Sequence, residues 1–176
     1  MSGIKSANQG ENAMSASSLQ LKNSQLKVEL PSDSEVLVTR EFKAPVALVW
    51  DAHTKPELVK RWLTGPAGWT MPVCEIDLRV GGAYRYRWRS DADGSEFGSS
   101  GTHKEVVQHQ RIVTSERMEG FAGEAINTLT LREVNGKTVM TLNMDFGSKE
   151  ARDGAVATGM TDGMELSYQR LDGILG

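Results

Sequence analysis

"AINTLTLREVNGKTVMTLNMDF", residues 125–146, decides the architecture. Asn135-Gly136 favours a two-residue type I′ hairpin turn, because both central residues of that turn need positive φ. The turn sets a register in which Val134 faces Lys137. Leu131 then opposes Met140, Leu129 opposes Leu142 and Ala125 opposes Phe146, while Thr130 meets Thr141 and Thr128 meets Asn143 on the other face. A one-residue slip would mix the two faces. The hairpin therefore predicts an antiparallel sheet with one covered face and one wet face.

The cover comes next in the chain. In "SKEARDGAVATGMTDGMELSYQRLDGIL", residues 148–175, Val156, Met160, Gly163, Met164, Ser167, Leu171 and Ile174 recur at steps of three and four. That spacing predicts one long helix with a single apolar stripe, and the economical arrangement lays this stripe across the covered face of the sheet.

Upstream, the period of two continues from Val73 to Phe146, broken by turns at "DADGSE" (91–96) and "QHQR" (108–111) and by Gly81-Gly82. Before these strands, "APVALVWDAH" (44–53) and "TKPELVKRWL" (54–63) read as two short helices. Val46, Val49, Trp50 and His53 form the apolar face of the first, which Pro45 opens. Thr54 and Glu57 have capping-box spacing for the second, whose buried side is Leu58, Val59, Trp62 and Leu63 and whose end is Gly65. "QLKVELPSDSEVLVTREF" (25–42) reads as an opening hairpin. Residues 1–22 are rich in Ser, Asn, Gln, Gly and Ala, too polar to offset their ordering entropy by burial. The expected organisation is a flexible polar tail over 1–22 and one domain over 23–176.

The composition narrows the function. The chain has 176 residues, 39% apolar and 24% charged, as a single globular domain with a usable core does. Its formal net charge of −3 argues against a polyphosphate partner. The one local pattern that points to nucleic acid is "AYRYRWR", residues 83–89. In a strand Tyr84, Tyr86 and Trp88 share one face and Arg85, Arg87 and Arg89 the other. A single-strand groove needs rings and cations on one surface, so the arginines read as a solvated outer face and the aromatics point under the helix. No nucleic acid is expected.

Cys74 is the only cysteine, so there is neither an internal disulfide nor a zinc cluster, and it reads as a small buried hydrophobe. His53, His103 and His109 are scattered, with no ligand spacing for a metal. Neither a signal pattern nor a membrane-spanning run occurs, so a cytoplasmic protein without stable membrane insertion is expected. "DLRVGG" lacks phosphate-loop spacing, and no cofactor is expected.

His103 and Glu105 lie two apart in a strand, which would put an imidazole and a carboxylate on one face. Inside an apolar cavity such a pair could do acid–base work; a satisfied hydrogen-bonding pair is the plainer reading, and no nucleophile motif accompanies it. Tyr84, Tyr86 and Trp88 are either packed core or pocket wall. Glycines at 159 and 163 in the helix leave out side-chain volume above them, at about 1 kcal/mol each relative to Ala. Trp62 and Trp69 flank the loop between the second helix and the sheet.

Three strings carry a family resemblance: "VTREFKAPVALVWDAHTKPELVKRWLTGPAGWTMPVCEIDLRVGGAYRYRW" (38–88), "GTHKEVVQHQRIVTSERM" (101–118) and "EARDGAVATGMTDGMELSYQRL" (150–171). With the order of elements, they resemble the activator of heat-shock protein 90 ATPase homologue-like family, within the START-like, SRPBCC or Bet v-like superfamily. The resemblance covers about residues 24–175. It implies an α+β helix-grip fold: a curved antiparallel sheet wrapped around a long C-terminal helix, with two short helices after the first main strand. It also implies a cavity between sheet and helix for a lipid, polyketide or flavonoid-like molecule. Where similar sequences often carry tryptophan, this chain has Met164, which would reshape that cavity.

The expected function is binding of a small apolar molecule. The expected ligand-binding residues are Trp62, Trp69, Tyr84, Tyr86, Trp88, His103, Glu105, Met160, Gly163, Met164 and Ser167. The alternatives are a cyclase, dehydratase or hydrolase using His103 and Glu105, and a co-chaperone-like interaction module on the outer sheet face. The family's eponymous co-chaperone carries a separate N-terminal domain that contributes to chaperone binding. This chain has only the polar stretch there, so chaperone activation on its own is not expected.

Overall fold

A computed structural model describes residues 25–176, so the tail expected at 1–22 lies outside the described residues. In chain order the elements are β1 (Lys27–Glu29), β2 (Glu35–Phe42), α1 (Val46–Thr54), α2 (Pro56–Trp62), β3 (Trp69–Ile76), β4 (Ala83–Ser90), β5 (Glu96–Val107), β6 (Arg111–Met118), β7 (Ala125–Val134), β8 (Lys137–Asp145), α3 (Lys149–Ala157) and α4 (Met160–Leu175). The eight strands form one antiparallel sheet in the order β1-β2-β8-β7-β6-β5-β4-β3. This is the helix-grip architecture.

The β7–β8 hairpin has the register that its turn dictates. Val134 pairs with Lys137, Leu131 with Met140, Leu129 with Leu142 and Thr128 with Asn143. Asn135 and Gly136 have φ of 52° and 76°, as a type I′ turn requires. The ladder ends at Ile126 and Asp145, one residue short of the expected pairing of Ala125 with Phe146.

β2 runs beside β8 and extends the covered face through Val36, Val38 and Phe42. Arg40 falls on the same face, and its fully buried guanidinium needs partners. α4 supplies them. Arg40 Nη1 and Nη2 donate to the two oxygens of Asp172 at 2.8 Å each, and Nε reaches Glu165 Oε2 at 3.4 Å. The guanidinium also lies over the rings of Phe42 and Tyr168. A buried charge with directional partners on a second element pins α4 to the sheet in one orientation.

Two local expectations need correction. The C-terminal helix is broken: Gly159 takes φ 78°, the left-handed region, and separates α3 from α4. Gly159 is thus not a helix-interior glycine, whereas Gly163 is. Thr54 is not the cap of α2; it ends α1, with Oγ1 donating to Trp50 O at 2.8 Å. Pro56 forces the residue before it out of the helical region, so Lys55 becomes the N-cap and the capping-box spacing is off by one.

The inner face of the sheet divides into two halves. Under the C-terminal part of α4 it is sealed: Val36, Val38, Phe42, Met140 and Leu171 are all 0% exposed. Toward β4, β5 and β6 the inward residues Tyr86, Trp88, Phe97, Thr114, Glu116 and Asn127 keep accessible surface.

Candidate functional site

The register of β3 to β6 lines up rings across the open half. Trp88 sits opposite Phe97, Tyr86 opposite Ser99 and Tyr84 opposite Gly101. The result is an unbroken series: Trp69 to Phe97 at 5.4 Å, Phe97 to Trp88 at 5.0 Å, Trp88 to Tyr86 at 5.9 Å, Tyr86 to Tyr84 at 5.2 Å and Tyr84 to His103 at 5.7 Å between ring centroids. The arginines between them face outward, where Arg87 pairs with Glu96 and Glu119 and Arg89 with Glu96.

Beside the rings lies a polar patch. Tyr84 Oη donates to Ser115 O at 3.1 Å and approaches Glu116 Oε2 at 3.4 Å. Ser99 Oγ donates to the same Glu116 oxygen at 2.8 Å. Thr114 pairs with His103 on one side and Asn127 on the other, so all three share the inner face. The Asn127 amide oxygen is shut off from solvent and has no hydrogen-bond partner among the described residues. His103 is buried and donates from Nδ1 to Gly82 O at 3.1 Å. Burial, then the charge of Glu116, pushes the Tyr84 phenol far above its ordinary value, so it stays a proton donor. Burial likewise raises Tyr86, and it holds the half-buried Cys74 thiol up at about 11, so that residue is an inert thiol.

The rim is the 63–68 connection between α2 and β3. Trp88 Nε1 donates to Leu63 O at 2.7 Å, the Gly65 amide donates to Ser167 Oγ at 2.9 Å, and Arg170 donates to Gly65 O. The loop is therefore tied both to the sheet and to α4. The first turns of α4 carry Met160, Gly163 and Met164, all partly exposed, and the two methionines pack against the core. A Cβ placed on Gly163 would meet only Pro66 Cδ, at 3.9 Å.

Of the residues singled out in the sequence, Tyr84, Tyr86, Trp88 and His103 lie on the inner face of β4 and β5, Trp69 meets Phe97 at its edge, Met160 and Met164 pack against the core from α4, and Gly163 faces Pro66. Trp62 does not: it is core, stacked on Tyr168 at 5.4 Å with its indole N–H donated to Ala52 O. Ser167 is buried and engaged by the Gly65 amide. The pairing of His103 with Glu105 fails. A β-bulge lies between them: His103 pairs with Thr114 but Glu105 with Val113. The extra residue, Lys104, turns Glu105 to the outer face, where it meets Arg111 at 3.2 Å.

Ser99, Thr114, Glu116 and Asn127 escaped the reading of the sequence. Asn127 could have been found, because the hairpin register that places Leu129 and Leu131 inward also places residue 127 there. Glu116 follows from it, two pairs along β6.

A separate open cleft of about 440 Å³ is lined by Val46, His109, Gln110, Arg111 and Thr130 to Glu133, at the far end of β6 and β7. Among the described residues no group of three or more His, Cys, Asp or Glu side chains could hold a metal ion, and no helix is long and apolar enough to cross a membrane.

A solved structure from Rhodobacter sphaeroides is 30% identical to this chain, with a TM-score of 0.82 over 86% of this chain and 97% of that one. One from Nitrosomonas europaea is 25% identical, with a TM-score of 0.73 over 83% and 96% of the two chains. A third, from Mycobacterium smegmatis, shares the fold at 24% identity, with a TM-score of 0.74 over 84% and 95%. No curated protein matches the chain. The family model for activator of Hsp90 ATPase homolog 1-like protein matches residues 43–176. Matched over most of its length, and built on the same sheet-and-helix frame as these relatives, the chain belongs to the activator of Hsp90 ATPase homolog 1-like family of the SRPBCC superfamily.

Proposed function

We propose that the protein binds a small, largely apolar molecule in the open half of the groove, between the aromatic series of β4 and β5 and the first turns of α4. The observation that carries this reading is the unequal burial of the inner face. The same sheet seals Val36, Val38 and Met140 completely yet leaves the inward Tyr86, Trp88 and Asn127 partly accessible. Binding would draw mainly on apolar burial, at about 25 cal/mol per Å². Trp69, Tyr86, Trp88, Met160 and Met164 would supply that surface, and a few polar groups would orient the molecule.

The acid–base alternative rested on His103 and Glu105, which lie on opposite faces. The interaction-module alternative draws no support from Arg87 and Arg89, whose charges are engaged by Glu96 and Glu119.

Titration with Nile red tests the reading. A saturable blue shift with about one dye per chain is expected; no shift at a large excess of protein would refute it.

A further inference from the structure

Three features of the groove's floor bear on what kind of molecule it takes. The inward positions of β4, β5 and β6 carry no lysine or arginine, and Glu116 is their single carboxylate. Glu116 uses Oε2 for Ser99 and Tyr84, and among the described residues no donor reaches Oε1. Asn127, its diagonal neighbour across β6 and β7, holds a buried amide oxygen with no partner. A buried unpaired acceptor is costly and calls for an explanation. Both residues lie on the same inner face, on neighbouring strands beside the ring series.

We propose that the groove selects an apolar molecule whose inner end carries a hydrogen-bond donor, a hydroxyl or an amine, and rejects anionic amphiphiles of the same length. This rests on the binding reading above and adds the chemistry of the ligand's head. A donor would satisfy Glu116 Oε1. A carboxylate would bring a second negative charge beside Glu116 and leave that acceptor unpaired. The arginines that could have neutralised it, Arg85, Arg87 and Arg89, stand on the other side of the sheet.

The test displaces bound Nile red with 1-decanol, decylamine and decanoate at neutral pH, one chain length with three heads. At least one of the two donors is expected to displace the dye at about ten-fold lower concentration than decanoate, the worth of one hydrogen bond to a charged group. Glu116→Gln removes the charge at constant shape and should bring decanoate to within about three-fold of decanol. Arg87→Ala, on the outer face, is the control: it should leave dye uptake and the order of the three probes unchanged. Decanoate equal to or better than both donors in the wild type would overturn the proposal and leave apolar binding standing. Failure of Nile red to enter at all would overturn both. Should either variant fail to fold, the wild-type order of the three probes still decides.

Discussion

The ring of Tyr84 passes close over Gly101 on the neighbouring strand, where a Cβ would stand 2.8 Å from Tyr84 Cε1 and inside contact distance of the Ser115 carbonyl. The missing side chain is what lets the phenol cross β5 and reach Ser115 O and Glu116 on β6. The outer face repeats the device: Arg87 crosses Gly98 to reach Glu119.

Gly101→Ala should therefore destabilise the protein by about 2 kcal/mol or more, since backbone as well as the ring must move. Tyr84→Phe keeps the ring and should cost less. Urea unfolding of both variants compares them; a Gly101→Ala variant as stable as the wild type would mean that the ring does not need that space.

Arg40 and Glu165 are both buried, and Glu165 shares the guanidinium with the closer Asp172. Arg40→Met leaves the buried Glu165 carboxylate with only Gln25 N and Gln169 Nε2 as donors and should cost about 3–5 kcal/mol, whereas adding Glu165→Leu should recover part of the loss. Equilibrium unfolding of the two single variants and the double variant measures the coupling. An additive double variant would contradict the pairing.

His53 carries the pH dependence. Its Nδ1 donates to Val49 O at 2.7 Å, its Nε2 is shut off with no partner among the described residues, and burial pushes its pKa from 6.5 down to about 4. Above 6.5 folded and unfolded chains both carry the ring neutral. Below it the unfolded chain takes up a proton that the folded chain excludes until about pH 4, so stability falls with pH across that window. Between pH 7 and 5 the loss should be about 2 kcal/mol. His53→Leu should flatten that fall in urea unfolding at the two pH values; an unchanged fall would place its origin elsewhere.

How much of this was legible in the sequence depended on the distance over which each feature is encoded. The β7–β8 hairpin was readable because Asn135-Gly136 and the alternation around it agree within a few residues. The sides taken by Tyr84 and Arg85 followed from the same period of two. The bulge at Lys104 was not readable, since one extra residue changes no composition and yet reverses Glu105. Nor was the sealing of Trp62, which depends on Tyr168, a residue more than half the chain away. Thr54 misled because Pro56 overrides capping-box spacing by fixing the residue before it. Asn127 was legible and overlooked: a polar residue on a face defined by its apolar neighbours is easily passed over, though its inward position is what makes it informative.

The central claim is that open space, not packed side chain, lies beneath the first turns of α4. Gly163→Trp tests it most directly, with Gly173→Trp as control, because Gly173 lies exposed on the same helix and a Cβ there meets nothing within 4 Å. The measurement is Nile red uptake together with thermal melting of both variants. The account predicts that Gly163→Trp abolishes uptake at little cost in melting temperature, while Gly173→Trp takes up dye as the wild type does. A Gly163→Trp variant destabilised by about 1–3 kcal/mol or more, as overpacking a filled core would do, with a wild type that takes up no dye, would contradict it.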